Sequence, residues 1–289
     1  MKKLLLALFA ILMFVQTTYA GKVVCDVISS RILGADVKYN VYLPNGFDGS
    51  DKLYPVVYLL HGLSDDQDGW RDKGRMQLVA DELIESGEAA EMVIVMPAAG
   101  GPDTHHTPCG YFNMPGWSYE DFFFSELMPE VEKKYRCISD KGHRAVMGLS
   151  MGGGGSTVYC QRHPDKFSSC YAMSAWLSNN TGVVKANQKG EVKEKDWRLC
   201  TIQSVNDHSP LDYLSKADKS TIAKLKTVKW TFDCGDDDGL LNLSVDLHLL
   251  MKKAGIKSEL RVRNGKHNWE YWHLCLRDAL PFASRNFDR

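Results

Sequence analysis

The sequence predicts a single α/β domain with a mostly parallel central sheet and helices on both of its faces. Three observations point there. Strand-like and helix-like periods alternate after the first fifty residues, several strand-like runs are apolar without interruption, and no repeat or low-complexity linker breaks the succession. An uninterrupted apolar run belongs to a strand covered on both sides, the condition of a parallel sheet between two helical layers. At 289 residues the chain can bury one large core of this kind.

The chain begins Met1-Lys2-Lys3, continues almost wholly apolar from Leu4 to Val15, and reaches Thr18-Tyr19-Ala20 before Gly21. That is the pattern of an export signal over residues 1–20 with cleavage after Ala20. The run is short for a membrane span, and no later segment approaches the ~20 apolar residues one needs. Residues 21–289 are therefore expected as one soluble domain, periplasmic or extracellular. Losing Lys2 and Lys3 moves the formal charge from −1 to −3. So small a charge offers no electrostatic case for nucleic acid or an anionic membrane. All eight cysteines lie in the mature part, where export permits disulfides. Cys160, Cys170 and Cys234 fall in core helix or strands and read as small buried thiols. Cys25, Cys109, Cys137, Cys200 and Cys275 are better placed for bridging, with no pairing legible.

Val37, Tyr39, Val41 and Leu43 alternate with their neighbours, as in an early antiparallel strand. Tyr54 to Leu60 is a buried strand after which a helix from Met76 to Ser86 closes near Gly87, and Met92 to Met96 is the next strand. Ser118, three residues before Asp121, is placed to cap a helix whose Phe122, Phe123, Leu127, Met128 and Val131 face the core. Strand Arg144 to Met147, helix Met151 to Arg162, and strands Cys170 to Ser174 and Lys229 to Cys234 follow. Helix Asn242 to Lys253, strand Glu259 to Val262 and a terminal helix from Glu270 complete the series. Between Trp176 and Thr227 the periodicity weakens, and this stretch is expected to be an insertion over the active site.

The chemistry centres on Gly148-Leu149-Ser150-Met151-Gly152, which follows a strand and precedes a helix. In a nucleophile elbow the serine sits on a strained strand-to-helix turn, and side chains at the glycines would collide where strand and helix pass closely. By chance alone the pentapeptide arises in roughly one such sequence in seven, so context must decide. A serine hydroxyl needs a base, and the base needs a third group to fix its tautomer. Strand Lys229 to Cys234 ends in Gly235-Asp236-Asp237-Asp238, and strand Glu259 to Val262 in Asn264-Gly265-Lys266-His267. Acid and imidazole thus arrive at strand ends, in the order serine, acid, histidine, with a strand-helix-strand unit between them. Strand Tyr54 to Leu60 ends in His61-Gly62-Leu63, which makes the backbone N–H groups of Leu63 and Met151 the expected oxyanion donors.

In these segments the chain resembles the α/β-hydrolase esterases of the esterase D and feruloyl esterase group, including carbohydrate esterase family 1. The matching stretches are Tyr58-Leu59-Leu60-His61-Gly62, Met147 to Gly153, Asp233-Cys234-Gly235 through Asp238-Gly239-Leu240, and Gly265-Lys266-His267-Asn268-Trp269. They span the chain from about residue 35 onward. The resemblance implies an α/β-hydrolase fold and places the acid three residues after the glycine, at Asp238. The family often has a second glycine at Lys266 and an aspartate at Asn268. It implies hydrolysis of carboxylic esters through an acyl-enzyme on Ser150, with feruloyl or acetyl groups on plant polysaccharide as substrates. The alternatives are an acyltransferase of the mycolyl type and a carbohydrate-binding protein that has kept the fold alone; the latter predicts a lost triad member, and none is missing.

No cofactor or metal is expected. His105-His106 lacks a carboxylate or cysteine at ligand spacing, and Gly152 to Gly155 is not followed by the Gly-Lys-Ser/Thr of a phosphate loop. His61 is expected to stiffen its loop. Trp176, just after a strand end, and Trp269, beside the histidine, are candidate substrate-binding residues, since aromatic faces suit sugars or aromatic acids.

Overall fold

The structure, a computed structural model, describes residues 20–177 and 196–288. The expected export signal, apart from its last residue, lies outside them, as does the 178–195 portion of the expected insertion. An eight-stranded sheet is built from β1 (Lys22–Ser30), β2 (Ala35–Leu43), β3 (Val56–Leu60), β4 (Val93–Pro97), β7 (Arg144–Leu149), β8 (Ser169–Met173), β9 (Lys229–Gly235) and β10 (Ser258–Arg263), in the order β1-β2-β4-β3-β7-β8-β9-β10. β5 (Asn113–Met114) and β6 (Trp117–Ser118) form a separate small hairpin. Within the eight-stranded sheet, antiparallel pairing is confined to β1 with β2 and β2 with β4, and the other pairs are parallel. This is the α/β-hydrolase architecture.

The inner strands are covered on both sides, as their unbroken apolar runs require: every residue of β3, β4 and β8 is buried. One face carries Tyr58, Val95, Val146, Cys170 and Phe232, and the other Val57, Leu59, Ile94, Met147 and Tyr171. Helices α1 (Met76–Glu85) and α8 (Trp269–Arg285) cover the second face. Pro281 lies inside α8, where a proline costs about 3 kcal/mol. The same helix buries Tyr271, Trp272, Leu276, Leu280 and Phe282, each contributing roughly 1.5–3 kcal/mol, so burial outweighs the break.

On the first face lie α2 (Tyr119–Phe122, continued through a π-helical turn Phe123–Leu127 and Met128–Lys134), α3 (Met151–Arg162) and α7 (Leu241–Lys253). The five expected core residues of α2 are all buried. Its cap differs from expectation: Ser118 makes no side-chain cap, and the Asp121 N–H donates instead to Asn113 Oδ1 at 3.1 Å. β3 starts at Val56 instead of Tyr54, whose backbone forms an isolated bridge to Cys137.

Three further differences emerge. β1 was not anticipated, because as an edge strand it is only half covered and its apolar residues, Val23-Val24-Cys25 and Val27-Ile28, cluster instead of alternating. The described part of the 176–227 region is regular: α4 (Trp197–Asp207), α5 (Pro210–Ser215) and α6 (Lys219–Leu225), capped by Asp196, Ser209 and Asp218. Cys25, Cys109, Cys137, Cys200 and Cys275, which the sequence marks as better placed for bridging, form no bridge, and all eight cysteines are free thiols. Cys25 is exposed, Cys109 and Cys137 are buried on the first face, Cys200 is half-buried beside it, and Cys275 is buried on the opposite face, where each buried thiol packs as a small apolar group. No helix among the described residues is long and apolar enough to cross a membrane.

Candidate active site

Ser150 stands between β7 and α3 with φ 53° and ψ −115°, a conformation that costs a non-glycine residue about 1–3 kcal/mol. The turn is held by its neighbours. The Ser150 N–H donates to Met173 O at 2.9 Å, and its carbonyl accepts from Trp176 N–H at 2.9 Å and Gly154 N–H at 3.0 Å. The flanking glycines are required by close approach: a Cβ on Gly148 would stand 2.6 Å from Gly152 O, and one on Gly152 would stand 2.5 Å from Leu60 O.

His267 follows β10 and reaches both partners from opposite ring nitrogens. Its Nδ1 is 2.9 Å from Asp238 Oδ2, and its Nε2 is 3.0 Å from Ser150 Oγ. An ionised carboxylate can only accept, so Nδ1 bears the proton and Nε2 is left to accept the serine hydroxyl. Burial alone would raise the Asp238 pKa, but hydrogen bonds from His267 and the Leu240 N–H hold it below the usual carboxylate range. The structure separates the three consecutive aspartates. Asp238 faces the histidine; Asp236 Oδ1 accepts the Gly265 N–H at 2.9 Å and so ties down the histidine loop; Asp237 is exposed.

Leu63 lies in the turn after β3 and Met151 at the first position of α3. Neither N–H donates to an acceptor among the described residues, which leaves both available to a ligand oxygen. His61 organises this turn. The Ala99 N–H donates to its Nε2 at 2.9 Å, so Nδ1 carries the proton and donates to Gly62 O at 2.8 Å. Burial lowers the His61 pKa and keeps the ring neutral. Because N–H and C=O point oppositely across a trans peptide, pinning the Gly62 carbonyl also fixes the direction of the Leu63 N–H.

Trp176 is half-buried against the first-face core, two residues beyond the end of the Ser174 turn. Trp269 sits edge-on between Trp70 and Trp272, with centroids 5.2 and 5.4 Å away, and Lys73 Nζ lies 5.8 Å over its ring. The helices of the 196–227 segment pack against the first face, burying Val205, Leu214 and Leu225 there. Thr201 Oγ1 donates to Cys109 O, His208 stacks on Phe112 at 4.4 Å, and Tyr213 OH donates to Gln161 O of α3 at 3.0 Å. His105 and His106 face Asp196 and Asp103 respectively, in the same loop region. Two buried groups near the histidine escaped the sequence reading. Asp233 accepts from Tyr171 OH at 2.5 Å, Tyr271 OH at 2.6 Å and Arg263, and Ser174 accepts from Trp272 Nε1–H at 3.0 Å. No local period marks either, because their partners come from other elements.

With this geometry Ser150 Oγ has a proton acceptor 3.0 Å away at His267 Nε2, the nucleophile–base pair that acyl transfer requires. Comparison with known proteins agrees in kind. The Esterase family model, described as "Putative esterase", matches residues 30–283. A solved ferulic acid esterase is 44% identical, with a TM-score of 0.86, covering 93% of this chain and 100% of that one. An endo-1,4-beta-xylanase/feruloyl esterase of Xylanibacter ruminicola is 28% identical over 245 residues, 82% of this chain and 28% of the relative. A diacylglycerol acyltransferase/mycolyltransferase Ag85B of Mycobacterium leprae is 30% identical over 162 residues, 54% of this chain and 45% of the relative. The chain thus spans less than half the length of these two curated relatives.

Proposed function

The chain belongs to the esterase family, and from that membership we propose that it is an exported serine esterase that removes feruloyl or acetyl groups from plant polysaccharide through an acyl-enzyme. The observation that carries this reading is the hydrogen-bonded line Ser150–His267–Asp238 at the strand ends, in a chain 44% identical to a ferulic acid esterase. Ser150 Oγ attacks the ester carbonyl while its proton passes to His267 Nε2. Asp238 stabilises the imidazolium, and the Leu63 and Met151 N–H groups hold the oxyanion. As the tetrahedral adduct collapses, the sugar alkoxide leaves with the proton from His267. Water then attacks the acyl group, His267 takes its proton and returns it to Ser150, and the carboxylic acid is released.

An aromatic acyl group needs an apolar wall, and Trp176, whose backbone is tied to Ser150, is the proposed one. Trp269 is proposed to back the histidine side of the site. A second reading, transfer of the acyl group to a sugar hydroxyl in place of water, draws on the mycolyltransferase relative. The two share every step up to the acyl-enzyme.

Methyl ferulate, acetylated xylan and p-nitrophenyl acetate assayed side by side test the proposal. Release of ferulate or of xylan acetate with efficiency well above that of the activated acetate supports it. Turnover of p-nitrophenyl acetate alone overturns the substrate assignment, and acylated sugar as the main product selects transfer.

A further inference from the structure

The loop that carries His267 is short, running from Arg263 at the end of β10 to Tyr271 in the first turn of α8. Both of its ends reach one buried carboxylate. Asp233, fully buried on β9, accepts the Tyr271 hydroxyl on Oδ1 at 2.6 Å and the Arg263 guanidinium on Oδ2. Arg263 also donates to Asp278 of α8 at 2.7 Å, so the strand end is tied to the helix as well as to β9. Between these ends Gly265 is enclosed. Its N–H donates to Asp236 Oδ1 at 2.9 Å, and its carbonyl accepts the Asp237 N–H at 3.0 Å. That carbonyl lies so close to Gly235 that a Cβ there would overlap it, and a Cβ on Gly265 itself would overlap the Tyr271 ring.

We propose that Tyr271, held by Asp233, is a positioning residue of the catalytic histidine: the carboxylate fixes the Tyr271 hydroxyl, the Tyr271 ring backs Gly265, and Gly265 sets where His267 stands two residues on. A bond from the hydroxyl to a carboxylate is charge-assisted, and it stops the ring from sliding along its long axis. A buried carboxylate is costly unless its partners are complete, and Asp233 has a third donor in Tyr171 OH at 2.5 Å. Burial, with Asp233 next, holds both phenols well above their ordinary range, so both remain donors. The loop brings Nε2 to within 3.0 Å of Ser150 Oγ, and a shift of about 1 Å in a reacting group costs up to ~100-fold in rate.

Tyr171 supplies the control. It stands on β8, donates to the same carboxylate, and belongs to neither end of the loop. Loss of either hydroxyl leaves Asp233 short of one donor and costs the fold a similar amount. Only loss of the Tyr271 hydroxyl loosens the histidine.

The proposal rests on the reading of Ser150, Asp238 and His267 as the triad, and failure of that reading shows separately as an active Ser150→Ala enzyme. The test compares Tyr271→Phe with Tyr171→Phe by steady-state kinetics on p-nitrophenyl acetate, with urea unfolding run alongside. Both variants should lose stability to a similar degree. Tyr271→Phe should lower kcat about ten-fold with KM within about two-fold of wild type, because acylation and deacylation both pass through His267 while substrate contacts are untouched. Tyr171→Phe should keep kcat within about two-fold of wild type. Arg263→Lys leaves a charge beside Asp233 but loses the fork that spans Asp233 and Asp278. It loosens the other end of the loop and should lower kcat in the same way, which decides the matter if Tyr271→Phe does not fold. Wild-type kcat in folded Tyr271→Phe or in Arg263→Lys, or equal kcat losses in the two tyrosine variants, overturns the proposal.

Discussion

His267 Nε2 stands 3.0 Å from Ser150 Oγ although 117 residues separate them in the chain. In the sheet their strands, β10 and β7, are separated by β8 and β9, so roughly 14 Å lies between the strand axes at the usual strand spacing. The loop after β10 must fold back across two strand ends to close that gap. Asp236 and Asp238, from the loop after β9, grip it at Gly265 and at the imidazole.

That division of labour predicts three different outcomes for one substitution. Asp238→Asn keeps the shape but removes the charge that stabilises the imidazolium, and kcat should fall by roughly 10⁴-fold. Asp236→Asn removes an acceptor from the loop alone and should cost about ten-fold or less. Asp237→Asn, on an exposed side chain, should leave the rate near wild type. Steady-state kinetics on p-nitrophenyl acetate decide it, and an Asp238→Asn enzyme milder than either neighbour refutes the assignment.

In the proposed reading Trp176 contacts the acyl group and lies outside the nucleophile's proton path. Trp176→Ala should lower kcat/KM for methyl ferulate by about ten-fold or more while sparing p-nitrophenyl acetate, since binding contacts remote from the reacting atoms govern substrate choice. Equal losses on both esters would make Trp176 a support of the Ser150 turn, and no loss on either would remove it from the site.

The edge of the sheet carries a pH signature distinct from that of catalysis. Burial alone would raise the Asp26 pKa, but hydrogen bonds from Lys134, Tyr135, the Val27 N–H and Tyr39 hold its carboxyl well below the usual range. A carboxyl depressed in the folded state stabilises the fold above its unfolded value of about 3.9 and loses that contribution as pH falls through the folded value. Asp26→Asn should therefore cost about 1–3 kcal/mol in urea unfolding at pH 7. The gap to wild type should shrink below pH ~4. A gap constant with pH would mean that packing, not ionisation, carries the contribution of Asp26.

Much of the site was legible because its parts sit where a change of period meets a punctuating residue. Ser150 lies between an apolar run and a helix, with glycines that backbone atoms of Leu60 and Gly152 do not allow to be larger. Asp238 and His267 each follow a buried strand. What escaped has a physical reason in each case. β1 is a half-covered edge strand whose alternation is weak. The α4–α6 helices were read as an irregular insertion, although Ser209-Pro210 and Asp218 are ordinary helix starts; their short amphipathic faces left little period to find. Asn113 displaced Ser118 as the α2 cap because the β5–β6 hairpin brings it there, a tertiary fact. Ser174 and Trp272 are joined across 98 residues, and no local pattern records such a contact.

The central claim is that Ser150 carries the acyl group. Enzyme mixed with a feruloyl or acetyl ester, quenched in acid during the first turnovers and digested, should yield one acylated peptide, with the acyl group on Ser150, and Ser150→Ala should yield none while losing activity by roughly 10⁴-fold or more. An unmodified Ser150 peptide together with a Ser150→Ala enzyme that still hydrolyses the ester at near wild-type rate would contradict the account.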